Sequence, residues 1–244
     1  MLTIIVPARN EEKTIIKTLD GLINATNIPF EIVVVNDCSV DNTKQVVKTY
    51  SKGKRVRVVD TTTKRKGFAS ALKKGFTSAK GKFVVPVMAD LCDNPSTINK
   101  MYKEIGNGWD VVCGSRYMRG GKKAGGPKLQ GFFSWLVCNT AMWLTGVPTR
   151  DISNAFKMYR KKSLKGIRYN PKGGVEASME ILFQIYFNGG KITEIPTQWK
   201  GRTVGTSKFK LFQRTPRYLK IYSWAVENSL RKAFHLRLKP FYIK

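Results

Sequence analysis

The chain has 244 residues, of which 42% are hydrophobic, and this suits one large domain with a buried core. It carries 44 lysines and arginines against 16 aspartates and glutamates, a formal net charge of +28 at pH 7, so we expect an anionic partner or surface. No apolar run reaches the roughly 18 residues of a membrane-spanning helix. The four cysteines lack CxxC or metal-binding spacing, and this pattern favours reduced thiols in the cytoplasm.

The first half of the chain alternates strand and helix patterns. Short apolar runs predict strands at residues 2–7, 31–35, 56–59, 83–87 and 109–114. Apolar residues at helical spacing predict helices at residues 11–24, 41–50, 68–79 and 95–105. Strands that alternate with such helices form mainly parallel sheets flanked by helices, so we expect an α/β fold. Acidic residues follow the first strand and no basic segment precedes it, so no signal peptide is predicted.

The second half is less regular. Residues 115–126 and 201–207 are rich in glycine and basic residues, which predicts two flexible loops. The apolar stretch 132–147 predicts a helix buried in the core, with a helix lying at a membrane surface as the alternative. The remaining pattern predicts strands at 151–159 and 191–196 and a helix at 175–187.

The C-terminal residues 209–238 combine aromatic side chains at helical spacing with many lysines and arginines. Pro216 is expected to break this segment into two helices, because proline removes a hydrogen bond from a helix interior. We interpret residues 209–244 as a basic amphipathic extension that binds a membrane surface. The alternative is a helix packed on the core with its basic face in solvent.

Polar side chains follow three of the predicted strands. Arg9 and Glu11 follow the first strand, Asp37 follows the second, and Asp90 and Asp93 follow the fourth. The carboxyl ends of parallel strands share one edge of a sheet, so these groups are expected to converge on one crevice. Carboxylates there usually hold a divalent cation that in turn holds a phosphate; the alternative is a polar turn with solvated acids. The Asp37 carboxylate is suited to accept two N–H donors of a base.

Residues 64–67 place three cations and a glycine directly before the helix at 68–79, a favourable setting for a pyrophosphate. The chain lacks the GxGxxG dinucleotide motif and the Walker P-loop, so a dehydrogenase or an NTPase is disfavoured. It also lacks helix-turn-helix, zinc-finger and RRM signatures, so nucleic acid is not expected as the partner despite the positive charge.

Five segments, in order, resemble the family 2 glycosyltransferases, which have the GT-A nucleotide-diphospho-sugar transferase fold. They are IIVPARNEE, EIVVVNDCSVDNT, KGFASALKKGF, MADLCDNP and GSRY. Asp151 in DISNAF and residues 198–208, QWKGRTVGTSK, are similar to the branch that makes dolichyl- or polyprenyl-phosphate mannose or glucose. The resemblance is strong over 3–117, weaker over 151–208 and absent beyond. It implies a GT-A domain at 1–208 followed by the extension 209–244.

The resemblance also implies roles for individual residues. Donor binding falls to Pro7, Arg9, Glu11, Asp37, Gly67, Ala89 and Asp90. Catalysis falls to Asp90, Arg116, Asp151, Arg202 and Lys208. A divalent cation, Mg²⁺ or Mn²⁺, is implied at Asp90 and Asp93. Met88 departs from the family pattern, which has the first aspartate of a DxD motif there, and Cys92 and Gln130 depart at two further positions.

The implied reaction is an inverting transfer of a hexose from a GDP- or UDP-sugar to a polyprenyl phosphate, at the cytoplasmic face of an anionic membrane. A phosphate acceptor is already an anion, so the protein needs cations to neutralise charge more than it needs a general base. A second interpretation keeps this donor and replaces the acceptor with a glycan or another soluble molecule, with Asp151 or Asp93 as the base. A basic nucleic-acid-binding protein is the third and least favoured.

Overall fold

The strands and helices follow the apolar patterns of the sequence. The computed structural model describes residues 1–62, 66–90, 92–170, 173–201 and 211–240. The strands of this part are β1 Leu2–Ala8, β2 Phe30–Asn36, β3 Val56–Asp60, β4 Phe83–Pro86, β5 Val111–Ser115, β6 Lys122–Ala124, β7 Lys157–Arg160, β8 Ile192–Pro196 and β9 Gln198–Lys200. The α-helices of this part are α1 Ile15–Ala25, α2 Thr43–Tyr50, α3 Phe68–Ser78, α4 Thr97–Gly106, α5 Lys128–Thr145, α6 Ala177–Phe187 and α7 Leu211–Ala233.

Within the described residues, seven strands form one mixed sheet in the order β3-β2-β1-β4-β7-β5-β8. The strands β3, β2, β1 and β4 are parallel to one another, and β5 is parallel to β8. The strand β7 runs antiparallel to both of its neighbours, β4 and β5. The chain winds outward from β1 to β3 and then returns to the other side of β1 with β4. The carboxyl ends of β1, β2 and β4 therefore meet where the strand order reverses, which is where such sheets bind ligands. The predicted α/β fold is confirmed.

Helices cover both faces of this sheet. In β1, the side chain of Ile5 belongs to a buried cluster that includes residues of α3, α5, α6 and α7. Its neighbours Ile4 and Val6 belong to a second buried cluster, with residues of α1, α2 and α4. Successive strand residues point to opposite faces, so one apolar run supplies both clusters. This double coverage holds the strand ends in place.

The predicted flexible loop at 115–126 contains a strand. In it, β6 pairs in parallel with β9, with Lys122 opposite Gln198. The Lys123 ammonium also lies 5.7 Å from the centre of the Trp199 ring. Two segments far apart in the sequence pair here and stabilise each other. The glycine content of residues 115–126 predicted a loop because it carries no information about this distant partner. The second predicted loop, 201–207, lies outside the described residues except for Gly201.

Two further expectations for the second half are wrong. The helix α7 runs through Pro216 without breaking into two. One lost backbone hydrogen bond is outweighed because Ile221 and Ala225 of α7 are fully buried in the core. The strand predicted at 151–159 begins only at Lys157, because the preceding residues form a turn around the buried Asp151 side chain.

The helix α5, expected in the core, buries only a narrow face. Its small side chains Cys138 and Ala141 are fully buried, whereas Trp143 is 81% exposed and Phe132 is 55% exposed. The alternative of a surface helix is therefore the one that fits this geometry. Among the helices that the structure describes, none is long and apolar enough to cross a membrane.

Candidate active site

The loops that follow β1 and β2 are tied together at the edge of the sheet. The backbone N–H of Asn10 donates to Ser39 Oγ at 3.1 Å, and the N–H of Glu11 donates to Thr43 Oγ1 at 2.9 Å. Asn10 has a φ of 55°, in the left-handed region that asparagine tolerates better than most residues. These bonds fix the path of the backbone on which the exposed Arg9 side chain stands.

Asp37 lies directly after β2 and is almost fully buried. Both of its carboxylate oxygens accept the backbone N–H of Gly67, at 3.0 and 2.9 Å, and one also accepts the Thr61 hydroxyl at 2.8 Å. Gly67 has a φ of 128°, which a residue with a side chain rarely adopts, and it is the N-cap residue of α3. Asp37 thus connects the ends of β2, β3 and α3, and the structure brings two predicted donor residues into contact.

Asp90 and Ala89 lie in the loop after β4. The Ala89 carbonyl accepts the Thr18 hydroxyl of α1 at 2.8 Å, and Asp90 Oδ1 accepts the backbone N–H of Cys92 at 3.2 Å. Asp90 is partly exposed, so its carboxylate is accessible from solvent. Asp93 is 3% exposed and is held by the Asn154 amide at 3.5 Å. The two predicted metal ligands therefore lie in different environments.

The environment of Asp93 opposes its negative charge. Burial, together with the charges of Asp90 and Asp151, raises the pKa of Asp93 to about 7, although Arg116 and Asn154 act in the opposite direction. The described residues contain no group of three or more His, Cys, Asp or Glu that is arranged to hold a metal. Of the two predicted ligands, the partly exposed Asp90 therefore suits a hard divalent cation better than the buried Asp93.

Arg116 and Asp151 form a buried two-pronged ion pair. Arg116 Nε donates to Asp151 Oδ2 at 2.7 Å, and Arg116 Nη2 donates to Asp151 Oδ1 at 2.8 Å. The backbone N–H of Arg116 also donates to Oδ2, at 2.9 Å. Although burial opposes its charge, Arg116 and neighbouring donors hold the pKa of the fully buried Asp151 below its usual range. Asp151 therefore orients Arg116 and is shielded from solvent.

The ion pair is linked to α5 by a chain of hydroxyl groups. Arg116 Nη2 donates to Ser153 Oγ at 2.8 Å, and Ser153 Oγ lies 3.0 Å from Ser134 Oγ of α5. Ser134 also accepts the Tyr117 hydroxyl at 3.0 Å. The inner face of α5 is thus bonded to Arg116, which the family resemblance assigns to catalysis.

The strand β9 crosses over the acidic loop. The N–H of Lys200 donates to the Cys92 carbonyl at 2.8 Å, and Asp93 forms an isolated antiparallel bridge with Trp199. Partial burial and the nearby Arg116 charge lower the pKa of Lys123, on β6 beside Trp199. The pairing of β6 with β9 thus places the Lys123 side chain close to Gly131 of α5.

Several predicted groups cannot be placed. Arg202, Lys208 and the first two residues of the basic segment 64–67 lie outside the described residues, as does the Gln130 side chain. Pro7 is the penultimate residue of β1 and is partly buried.

The sequence interpretation missed two residues behind the ion pair. Asn154 donates to the Gly114 carbonyl at 3.0 Å as well as to Asp93. The fully buried Lys157 ammonium donates to the carbonyls of Ile152, at 3.0 Å, and of Asn154. A lysine within an otherwise hydrophobic strand pattern was the signal that pointed to a buried role. Both residues shape the turn that carries Asp151.

The sheet order, with polar groups at the carboxyl ends of parallel strands, is that of a ligand-binding α/β protein. Residues 3–168 match the family described as glycosyl transferase family 2, and the chain belongs to this family.

Two curated relatives match over most of the chain. It is 32% identical to a dolichol-phosphate mannosyltransferase of Pyrococcus furiosus, over 93% of this chain and 65% of that protein. It is 31% identical to a dolichyl-phosphate beta-glucosyltransferase of Trichomonas vaginalis, over 86% of this chain and 68% of that protein. The chain thus spans about two thirds of the length of these relatives.

A solved structure has the same fold. The glucosyl-3-phosphoglycerate synthase of Mycobacterium tuberculosis, in complex with Mn²⁺, UDP-glucose and phosphoglyceric acid, superposes with a TM-score of 0.65. The match covers 97% of this chain and 80% of that one at 16% identity, so it supports the fold alone.

Proposed function

We propose that this protein is an inverting glycosyltransferase that moves a hexose from a nucleoside-diphosphate sugar to a polyprenyl phosphate at a membrane surface. The observation that carries the proposal is the arrangement at one sheet edge of Asp37, Asp90 and the Arg116–Asp151 pair. The curated relatives, whose names specify dolichyl-type phosphate acceptors, support this choice of acceptor.

The donor would lie across the ends of β1, β2 and β4. The buried Asp37 carboxylate, already bonded to the Gly67 N–H, would accept N–H groups of the base beside Pro7 and Glu11. Arg9, exposed at the same edge, would face the nucleotide. A bound Mg²⁺ or Mn²⁺ would neutralise charge on the leaving diphosphate, with Asp90 as its accessible ligand and Asp93 behind it.

Arg116 would supply the fixed cation near the reacting centre. Its guanidinium is held in one orientation by Asp151, so it can face a phosphate without reorganising during the reaction. The acceptor phosphate is an anion at neutral pH and attacks the anomeric carbon from the face opposite the diphosphate. Arg202 and Lys208, carried over from the family resemblance, would add charge at the same centre.

A soluble acceptor is the second candidate. This alternative keeps the same donor chemistry, and the M. tuberculosis neighbour, which matches in fold alone, was crystallised with phosphoglyceric acid, a soluble molecule. Against it, Asp151 is fully buried and ion-paired, so it is not available as the base that a hydroxyl acceptor requires. Asp93, also buried, would need a path to the acceptor.

We further propose that the protein works at the cytoplasmic face of an anionic membrane, with the extension 209–244 contributing basic residues. In the described part of α7, Lys220 and Lys232 are exposed. Each basic side chain near an anionic leaflet contributes on the order of 1 kcal/mol, within a Debye length of the surface. No nucleic acid is required by this assignment.

A paired donor and acceptor screen tests the proposal. We expect transfer from a GDP- or UDP-hexose to a short-chain polyprenyl phosphate, stimulated by Mg²⁺ or Mn²⁺. Asp90→Asn should abolish this transfer in a folded protein, whereas Asp20→Asn, an exposed acid of α1, should not. Transfer to phosphoglyceric acid or a glycan, with none to polyprenyl phosphate, would replace the lipid acceptor with the soluble one. Normal turnover of Asp90→Asn would refute its assigned role.

A further inference from the structure

The helix α5 presents large apolar side chains to solvent along most of its length. They are Leu129, Phe132, Phe133, Trp135, Leu136, Trp143 and Leu144. All but Trp135 lie on one side of the helix, where the half-buried Asn139 and Thr140 separate Leu136 from Trp143. The opposite face turns the small residues Cys138, Ala141 and Thr145 into the core. The large hydrophobic side chains thus lie on the outside of this helix and the small ones on the inside.

The exposed apolar side chains of α5 are clustered and not scattered singly. Phe132 packs against Phe133 and Trp135 with ring centroids 5.8 and 6.3 Å apart, which makes an aromatic cluster near the start of the helix. Scattered single apolar residues need no explanation, but a contiguous apolar face of this kind usually marks an interaction site. Leaving it in water would cost the hydrophobic free energy of several side chains.

The surrounding charge identifies the partner as an anionic surface. The helix α5 contains no acidic residue. Exposed Lys122 precedes it and exposed Arg150 follows it. At its C-terminal end, the Lys232 ammonium lies 5.1 Å from the ring centre of Tyr186, whose hydroxyl donates to the Thr145 carbonyl at 3.1 Å. A second copy of a chain with a net charge of +28 would bring like charges together, whereas an anionic bilayer complements them.

The inner face of α5 connects this surface to the candidate active site. Ser134 lies among the exposed aromatic residues in sequence, yet its hydroxyl reaches Tyr117 and Ser153, and Ser153 bonds to Arg116. The helix that carries the exposed apolar side chains is therefore bonded on its inner side to the arginine of the candidate active site. Docking through α5 would hold that site close to the surface on which a lipid acceptor lies.

We infer that α5 lies parallel to an anionic lipid bilayer, with its apolar face inserted at the level of the headgroups, and that it is the main docking surface of this protein. Amphipathic helices that carry Trp, Phe and Leu on one side bind membranes in this way. The basic residues of α7 add attraction without providing the main apolar contact. The inference deepens the proposed function, because it rests on a lipid acceptor and specifies how the protein reaches it.

Vesicle binding tests the inference with the full chain. Vesicles of phosphatidylcholine and phosphatidylglycerol in equal parts are compared with pure phosphatidylcholine at low and high salt. Trp143→Glu removes the most exposed tryptophan and adds a negative charge. The matched control, Val40→Glu, replaces a 90% exposed hydrophobic side chain with a negative charge in the loop between β2 and α2. Both positions are exposed, so both variants should fold, and circular dichroism and thermal melting would check this.

We expect Trp143→Glu combined with Leu144→Glu to weaken binding to the mixed vesicles by roughly a hundredfold, because two inserted side chains are lost and two like charges are gained. Val40→Glu should change binding by less than about twofold. Lipids brominated in their acyl chains should quench wild-type tryptophan emission, and this quenching should be lost in the α5 variant. Equal binding of the α5 variant and wild type would overturn the inference.

Two other outcomes would also overturn it. A larger effect of Leu219→Glu, on the exposed side of α7, would place the docking surface on that helix. A wild-type dimer in light scattering that dissociates in the Trp143→Glu variant, without vesicle binding, would make a second copy the partner of α5. No sugar is needed in these assays, so a protein that docks through α5 but transfers nothing to polyprenyl phosphate would refute the proposed acceptor alone.

Discussion

The substitution Asp151→Asn tests the ion pair at the centre of the site. It keeps the size of the side chain and removes the charge that holds Arg116, whose side chain is only 10% exposed. Three hydrogen bonds of 2.7 to 2.9 Å from Arg116 end on this carboxylate. Breaking a buried pair by removing one partner costs about 3–5 kcal/mol, because the remaining charge stays buried without compensation.

This cost can be measured as a loss of unfolding free energy in urea. Each kcal/mol corresponds to about 2–4 °C in melting temperature for a chain of this size, so the melting temperature should fall by roughly 6–20 °C. The matched control is Asp60→Asn, which breaks the half-exposed 2.8 Å pair with Lys44 and should cost about 1 kcal/mol or less.

The loss should also depend on pH. The pKa of Asp151 in the folded protein lies below its usual value, so the stabilisation is present above about pH 4 and is lost as the pH falls through the folded pKa. The difference between wild type and Asp151→Asn should therefore shrink in acid.

Turnover should fall by roughly a hundredfold in Asp151→Asn, because a displaced guanidinium no longer faces the reacting phosphates. Steady-state kinetics with saturating donor and acceptor measure this. A variant with wild-type stability and turnover within about twofold of wild type would show that Asp151 does not position Arg116.

Three further substitutions probe the surroundings. Asp37→Asn should raise the donor KM much more than it lowers kcat, since base recognition is mostly uniform binding, and calorimetry with the nucleoside diphosphate checks this. Glu180→Gln concerns an α6 carboxyl whose pKa is raised to about 8 by burial and by Glu176. The folded protein keeps a proton there that the unfolded chain loses above about pH 4.5, so wild-type stability should fall between about pH 5 and pH 8, and the variant should lack this slope. Lys157→Met removes the buried donor to the carbonyls of Ile152 and Asn154; it should cost about 1–3 kcal/mol of stability and lower kcat with donor KM unchanged.

Each of these predictions has a clear contrary result. An unchanged donor affinity in Asp37→Asn would remove it from the base-binding site. Identical pH profiles of unfolding for wild type and Glu180→Gln would mean that this carboxyl ionises normally. For Lys157→Met, normal kcat beside a large loss of stability would give the lysine a purely structural role. The matched control for Lys157→Met is Lys161→Met. Lys161 directly follows β7, and its ammonium donates to the Ala79 carbonyl.

Local patterns were enough to predict the first half of the fold. The apolar run at 83–87 and the helical spacing at 68–79 are properties of neighbouring residues, so they predict β4 and α3 to within a residue or two. Because β1, β2 and β4 are parallel, the polar residues after them had to share one edge. The sequence alone therefore determined where Asp37 and Asp90 would lie, as well as the excess of positive charge.

Contacts between distant segments decided the rest. Apolar residues fall on all sides of the helix formed by residues 132–147, so their spacing did not indicate that Cys138 and Ala141 would pack inward and Trp143 outward. The pairing of β6 with β9 joins residues that are far apart in the chain. The turn that Lys157 holds around Asp151 joins nearby residues that follow no regular pattern. Such features depend on which surfaces fit together once the sheet has formed, and packing between segments carries no signature in the sequence of either segment alone.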